Sequence, residues 1–208
     1  MSRSPLHPEI YRYDPRFVGP ALRSGVTGAA HEDVEQIYRF ALFTPEFCRL
    51  LVEEAEHQGG WKTGQDTTAN PYAPDLDDVC EPDTVLPLSA LPGMDAVYDE
   101  IIRRHLKPLA EHLWPVFQVQ KWDPPYLLRY EPGVVQGMAR HYDLETCSIV
   151  CYLNDAFEGG GTYFPRWDYT PGRCTPGTAV IYPGGLSHVH EGRPVTAGRR
   201  YVLCSCFY

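Results

Sequence analysis

In the stretch "GMARHYDLETCSIV", a histidine and a carboxylate stand two residues apart, at His141 and Asp143. Residues i and i+2 of an extended strand point to the same face. The pair can therefore hold one cation while Tyr142 faces away. A second imidazole would complete two histidines and one carboxylate on one face of a metal. Non-heme Fe(II) oxygenases use that set, which leaves coordination positions open for reactants. "LSHVHEGRPVTAGRRY" supplies His188 and His190, with Arg200 ten residues past the second. Strand alternation puts both of these histidines on one face, so geometry alone does not choose between them.

A His-x-Asp triplet by itself is commonplace, and a surface histidine bonded to a nearby aspartate is the plain alternative. Arg200 shifts the balance. It opens the apolar run "RYVLCSCFY", and a guanidinium buried there unpaired would be costly, so it calls for an anion. Its planar fork suits a carboxylate. Arg199 reads as a solvated turn residue.

The elements that must position these residues fall into two halves. "IYRFALF" (37–43) reads as a strand. "TPEFCRLLVEEAEHQGG" (44–60) reads as a helix with Thr44 as N-cap, Pro45 in the first turn and glycines at its stop. Residues 61–92 read as a long loop. Residues 94–114 carry apolar positions at helical spacing, with a kink expected at Pro108 and with His105 and His112 on the helix surface. After residue 120, short β-rich runs separated by proline or glycine follow one another: "YLLRYE", "MARHYD", "TCSIVCYLN", "GTYFP", "TAVIYP", "LSHVH" and "RYVLCSCFY". That order predicts helices buttressing one face of an antiparallel sandwich or barrel.

Bulk properties bound the function. A chain of 208 residues suits one well-buried domain. A net charge of −9 argues against nucleic acid as the main partner and favours a small or basic one. No apolar run reaches the length of a membrane span, and the N-terminus shows no apolar signal region, so a cytoplasmic location is the expectation. Seven cysteines without a CxxC pair argue against a disulfide framework. Those in "TCSIVCYLN" and "YVLCSCFY" read as small apolar strand residues rather than a thiolate metal site.

Taken together, "RYEPG…HYD…T…YLND.FEGGGTYF…PGTAVIYPGGLSHVHEGRPVTAGRRY" resembles the Fe(II)- and 2-oxoglutarate-dependent dioxygenases of the prolyl and lysyl hydroxylase group. The match is closest to the procollagen lysyl hydroxylase catalytic domain and covers roughly residues 126–208. The resemblance implies a mainly β fold with supporting helices, a double-stranded β-helix or cupin-like jelly roll. It divides one domain into an irregular N-terminal segment (1–36), helical support (37–120) and a jelly-roll catalytic core (121–208). It also implies roles. His141, Asp143 and His190 would hold Fe(II), and the "HEG" context selects His190 over His188. Arg200 would pair with the distal carboxylate of 2-oxoglutarate, near Tyr130 and Tyr152, with Asn154 walling the pocket. The implied reaction couples O2 and 2-oxoglutarate to hydroxylation of a C–H bond, with L-ascorbate as an accessory reductant. The implied substrate is a basic, lysyl-like side chain. Tyr152 and residues 61–92 depart from the lysyl hydroxylase pattern.

Two other readings stay open on the residues: a hydroxylase of a free amino acid, and a cupin-like module that binds a carboxylate without turnover. "PDLDDVCEPD" carries Asp75, Asp77, Asp78, Glu81 and Asp83 with no basic residue. Such a run could steer a cationic substrate, or simply keep a solvated loop soluble.

Overall fold

The computed structural model describes residues 3–64, 83–172 and 174–208, so Asp75, Asp77, Asp78 and Glu81 lie outside the described residues. In the first half run β1 (Ala30–Val34), β2 (Ile37–Ala41), β3 (Lys62–Gly64) and β4 (Asp83–Pro87). Between and after them lie helices α1 (Pro20–Ser24), α2 (Pro45–Gln58), α3 (Met94–Ile101) and α4 (Lys107–Leu113). The second half holds β5 (Tyr126–Tyr130), β6 (Met138–His141), β7 (Cys147–Tyr152), β8 (Phe157–Gly159) and β9 (Thr162–Tyr163). It closes with β10 (Thr178–Pro183), β11 (His190–Gly192), β12 (Val195–Gly198) and β13 (Arg200–Phe207).

Eight strands form one sheet in the order β1-β2-β10-β7-β13-β5-β4-β3, faced by two small sheets, β6-β11-β9 and β12-β8. Alternation along β13 shows what the large sheet separates. Tyr201, Leu203 and Phe207 join Phe47 and Leu51 of α2 and Val97 and Ile101 of α3 in one hydrophobic cluster. Val202 and Cys204 join Tyr130, Tyr152 and Tyr182 in another. The helices thus buttress one face of the large sheet. Its other face looks into the space that the small sheets enclose.

Local chemistry accounts for α2 as read: Thr44 accepts from the Phe47 N–H, Pro45 occupies the first turn, and Gly59 ends the helix at φ +68°. The helix over 94–114 differs from a simple proline kink. Pro108 cannot donate to Arg104, and the chain widens into a π-helical stretch over Ile102–Leu106, where Lys107 N–H reaches Ile102. His105 is buried there rather than on the surface, against the hydroxyl of Tyr13 at 3.0 Å.

The N-terminal segment, read as irregular, carries β1 and several short helical turns and lays Ile10, Phe17 and Leu22 into the helix-side core. Its anchor is Glu54 of α2, which is 0% exposed. Glu54 accepts from the His7 N–H (2.7 Å), the Tyr11 hydroxyl (2.9 Å) and Gln58 (2.8 Å). Glu54→Gln, which replaces charge-assisted bonds by neutral ones, is expected to cost about 1.5–3 kcal/mol. The readout is the urea midpoint at unchanged m-value, and an unmoved midpoint would show that this anchor contributes nothing.

Residues 62–64 and 83–87, within the expected loop, form strands instead. None of the six described cysteines forms a disulfide. Burial pushes the Cys147 thiol up to about 12 and also raises Cys206, so both are thiols filling strand faces, not thiolates. No described helix is long and apolar enough to cross a membrane.

Candidate active site

Antiparallel register assembles the metal cluster. β6 ends at His141 and β11 begins at His190, and these two residues stand directly opposite each other, with ring centroids 4.3 Å apart. Asp143 lies just past the end of β6. Its Oδ1 is 3.5 Å from Nε2 of His141 and 3.8 Å from Nε2 of His190. One ligand atom from each residue lies within 4.8 Å of the others, and no other such group occurs among the described residues. The turn around Asp143 is set by glycines: Gly185 N–H donates to the Asp143 carbonyl at 2.8 Å. Gly184 passes so close to the Glu145 carbonyl that a Cβ there would collide with it.

The hydrogen bonds select the tautomers that metal binding needs. Nδ1 of His141 lies 2.8 Å from the Ala139 carbonyl, and Nδ1 of His190 lies 3.0 Å from the His188 carbonyl. A carbonyl only accepts, so each Nδ1 carries the proton and each neutral ring keeps a lone pair on Nε2. Burial lowers the pKa of His190, against the pull of Asp143, and so favours the neutral ring. Burial pushes the Asp143 carboxyl up, but a hydrogen bond from His141 and the positive charges of His190 and His141, all present when those rings are protonated, together with the Ser148 hydroxyl, outweigh that. The group is held at about 2 and is a carboxylate at neutral pH.

His188 is not on a strand. It ends a 3-10 turn over Leu186–His188, where its ring contacts Ser187 Oγ at 2.9 Å and the Glu35 carbonyl at 3.4 Å and packs on Trp167. The turn breaks the alternation that the "LSHVH" run suggested, and only His190 reaches the cluster.

Arg200 opens β13 opposite Tyr130 of β5 and is 2% exposed. Its guanidinium carbon lies 5.3 Å from the ring centre of Tyr130 and 5.1 Å from that of Tyr152. One terminal nitrogen donates to Thr162 Oγ1 at 3.3 Å, Nε has no partner, and no described carboxylate pairs with it. Gly160, at φ +67°, leaves room for this side chain: a Cβ there would stand 3.1 Å from Arg200 Cδ. Arg199, by contrast, is paired with Glu131 at the surface.

Arg200, Tyr130, His141, Asp143 and His190 line one cavity. Tyr152 stands beside it, with its hydroxyl donating to Thr162 at 3.2 Å. Asn154 is placed elsewhere. It donates to the Arg199 carbonyl at 2.7 Å and accepts from the Tyr201 N–H at 2.9 Å. It clasps the backbone on both sides of Arg200 and so positions that arginine rather than walling the pocket.

Sequence reading missed Tyr126, Ser148, Thr162 and Tyr182, which all line the cavity. The available signal was alternation: Arg200, Val202, Cys204 and Cys206 face the cavity from β13, and Tyr126, Leu128 and Tyr130 face it from β5. The donor set fits iron, with two imidazoles and a carboxylate converging from one side. A buried arginine with an unpaired Nε in the same cavity fits the far carboxylate of a short dicarboxylic acid.

Comparison with known proteins places this geometry. Residues 2–118 match the OGFOD2-like domain. The multifunctional procollagen lysine hydroxylase and glycosyltransferase LH3 of Rattus norvegicus is 30% identical over 182 residues, 86% of this chain and 24% of that protein. Procollagen-lysine,2-oxoglutarate 5-dioxygenase 1 of Rattus norvegicus is 31% identical over 173 residues, 81% of this chain and 23% of that protein. The chain spans about a quarter of the length of these relatives. Among solved structures, the viral collagen prolyl hydroxylase vCPH from Paramecium Bursaria Chlorella virus-1, in its 2OG complex, superposes with a TM-score of 0.62. It is 16% identical, over 84% of this chain and 97% of that one. A Pseudomonas putida prolyl-4-hydroxylase gives a TM-score of 0.57 at 17% identity, over 90% of this chain and 99% of the other. The likeness to these structures is one of fold: the jelly roll.

Proposed function

The chain belongs to the OGFOD2-like family, 2-oxoglutarate- and Fe(II)-dependent oxygenases related to the lysyl and prolyl hydroxylases, and from that premise we propose that it hydroxylates an unactivated C–H bond of an amino-acid side chain. The proposed substrate is a basic, lysine-like residue of a peptide or protein, and the described residues act as one catalytic unit. The observation that carries the reading is the buried, carboxylate-free Arg200 in the same cavity as His141, Asp143 and His190. Neither half alone would suffice, since metal clusters and buried arginines each occur for other reasons.

In this reading His141 and His190 hold Fe(II) through Nε2, with Asp143 as the anionic ligand. Bound iron supplies activation of O2 coupled to decarboxylation of 2-oxoglutarate to succinate and CO2. Arg200 and the Thr162 hydroxyl hold the distal carboxylate, and Asn154 keeps Arg200 aimed. Leu128 and Val202 keep that part of the cavity apolar, which strengthens the ion pair and excludes water. No protein general base is assigned, because hydroxylation of a C–H bond needs none.

Support for a lysine-like substrate comes from the names of the relatives at 30–31% identity. The prolyl hydroxylase likeness is more remote in sequence. The test is succinate release with Fe(II), 2-oxoglutarate and L-ascorbate, followed by a screen of lysine-, arginine- and proline-containing peptides and free amino acids for a gain of one oxygen. Hydroxylation of a basic side chain in a peptide is the expected result. Modification of proline peptides alone, or of a free amino acid alone, would refute the substrate assignment and leave the reaction standing. Absence of succinate release together with tight 2-oxoglutarate binding would favour a carboxylate-binding module.

A further inference from the structure

Tyr182 lies beside the metal cluster and is 1% exposed. Its hydroxyl is 3.1 Å from His190 Nε2, and the two rings meet edge-on at 4.9 Å. Because Nδ1 of His190 donates to the His188 carbonyl, Nε2 is unprotonated and the phenol is the donor. Among the described residues, that nitrogen is the hydroxyl's one hydrogen-bond partner.

The same nitrogen is the atom that His190 has to offer a metal. One lone pair cannot serve both. When a cation takes it, a fully buried hydroxyl loses its acceptor, and leaving such a donor unsatisfied is costly. Nearby, Asp143 accepts from the Ser148 hydroxyl and offers its carboxylate to the same cation. The acceptors that arrive with the cation are the oxygens of the dicarboxylate.

We infer that Tyr182 exchanges partners as the site fills: its hydroxyl leaves His190 and donates to an oxygen of bound 2-oxoglutarate. This rests on the reading of the cavity as a 2-oxoglutarate site. It adds a cosubstrate-binding residue at the metal end, opposite Arg200 and Thr162. It also means that the metal has to displace an internal hydrogen bond, that of Tyr182 to His190.

Tyr182→Phe should then shift two affinities in opposite directions. Metal binding no longer breaks a neutral hydrogen bond and should tighten, roughly two- to tenfold. 2-Oxoglutarate loses a charge-assisted bond and should bind the loaded protein roughly ten- to a hundredfold more weakly. The experiment is anaerobic titration calorimetry with Mn(II) alone, then with 2-oxoglutarate into Mn(II)-loaded protein, for the wild type and Tyr182→Phe. A melt of the Phe variant establishes that it is folded. A purely structural tyrosine would leave the second affinity unchanged, and that result overturns the inference. Wild-type protein that binds Mn(II) but no 2-oxoglutarate would instead overturn the reading of the cavity. para-Aminophenylalanine at position 182 restores a donor on the same ring and is expected to recover the lost 2-oxoglutarate affinity. Its failure to do so while folded would count against a donor role.

Discussion

Replacing His141, Asp143 or His190 with alanine is expected to abolish turnover and to weaken Fe(II) binding by at least ~100-fold, beyond the effect of losing an outer-shell partner. Each substitution removes one of the three proposed ligands from a cluster spanning no more than 4.8 Å, and the two left would no longer define a face. His188→Ala is the control. Its ring bonds Ser187 and the Glu35 carbonyl, and it serves His190 only through its backbone carbonyl, which alanine retains. This variant should keep full metal affinity. Fe(II) binding followed anaerobically decides the matter: a His188→Ala protein that loses iron while His190→Ala retains it would reverse the ligand assignment.

Arg200→Ala should raise the 2-oxoglutarate requirement steeply while leaving iron affinity nearly unchanged. Stripping a charge-assisted pair from a desolvated carboxylate commonly costs ~2–5 kcal/mol. Arg200→Lys keeps the charge but loses the planar fork and should fall between the two. Arg199→Ala should behave as wild type, because Arg199 pairs with Glu131 at the surface. A second consequence concerns stability. In the ligand-free protein Arg200 is a buried charge with no carboxylate partner and an unpaired Nε, so it opposes folding. Arg200→Met should therefore melt no lower than wild type without ligand and gain stability from added metal as wild type does, yet gain nothing further from 2-oxoglutarate. A variant that melts well below wild type, or that keeps its 2-oxoglutarate dependence, would show that the arginine is structural.

The parts of this protein legible from sequence are those specified by near neighbours in the chain. Thr44, Pro45 and Gly59 mark the ends of α2 because capping depends on residues within a turn. The β-rich second half follows from short runs punctuated by glycine and proline, and the pairing of His141 with Asp143 from their spacing. Arg200 could be read as inward because a charge opening an apolar strand needs a partner wherever that strand goes.

Contacts across the fold decided the rest. His188 and His190 are equivalent by spacing, and a 3-10 turn plus the β6–β11 register separates them. His105 is buried by Tyr13, which arrives from the opposite end of the helical half. Residues 3–36 look irregular because their order comes from Glu54 and from pairing with β2, not from local periodicity. Asn154 acts on β13, and Thr162 and Tyr182 take their roles from Arg200 and His190 across sheets. Sequence by itself determined which chemical groups the site could draw on, since residue type and short spacing are local properties. Which of them share a cavity depended on strand register and on which face of a sheet is covered, and those are settled only when distant segments pack together.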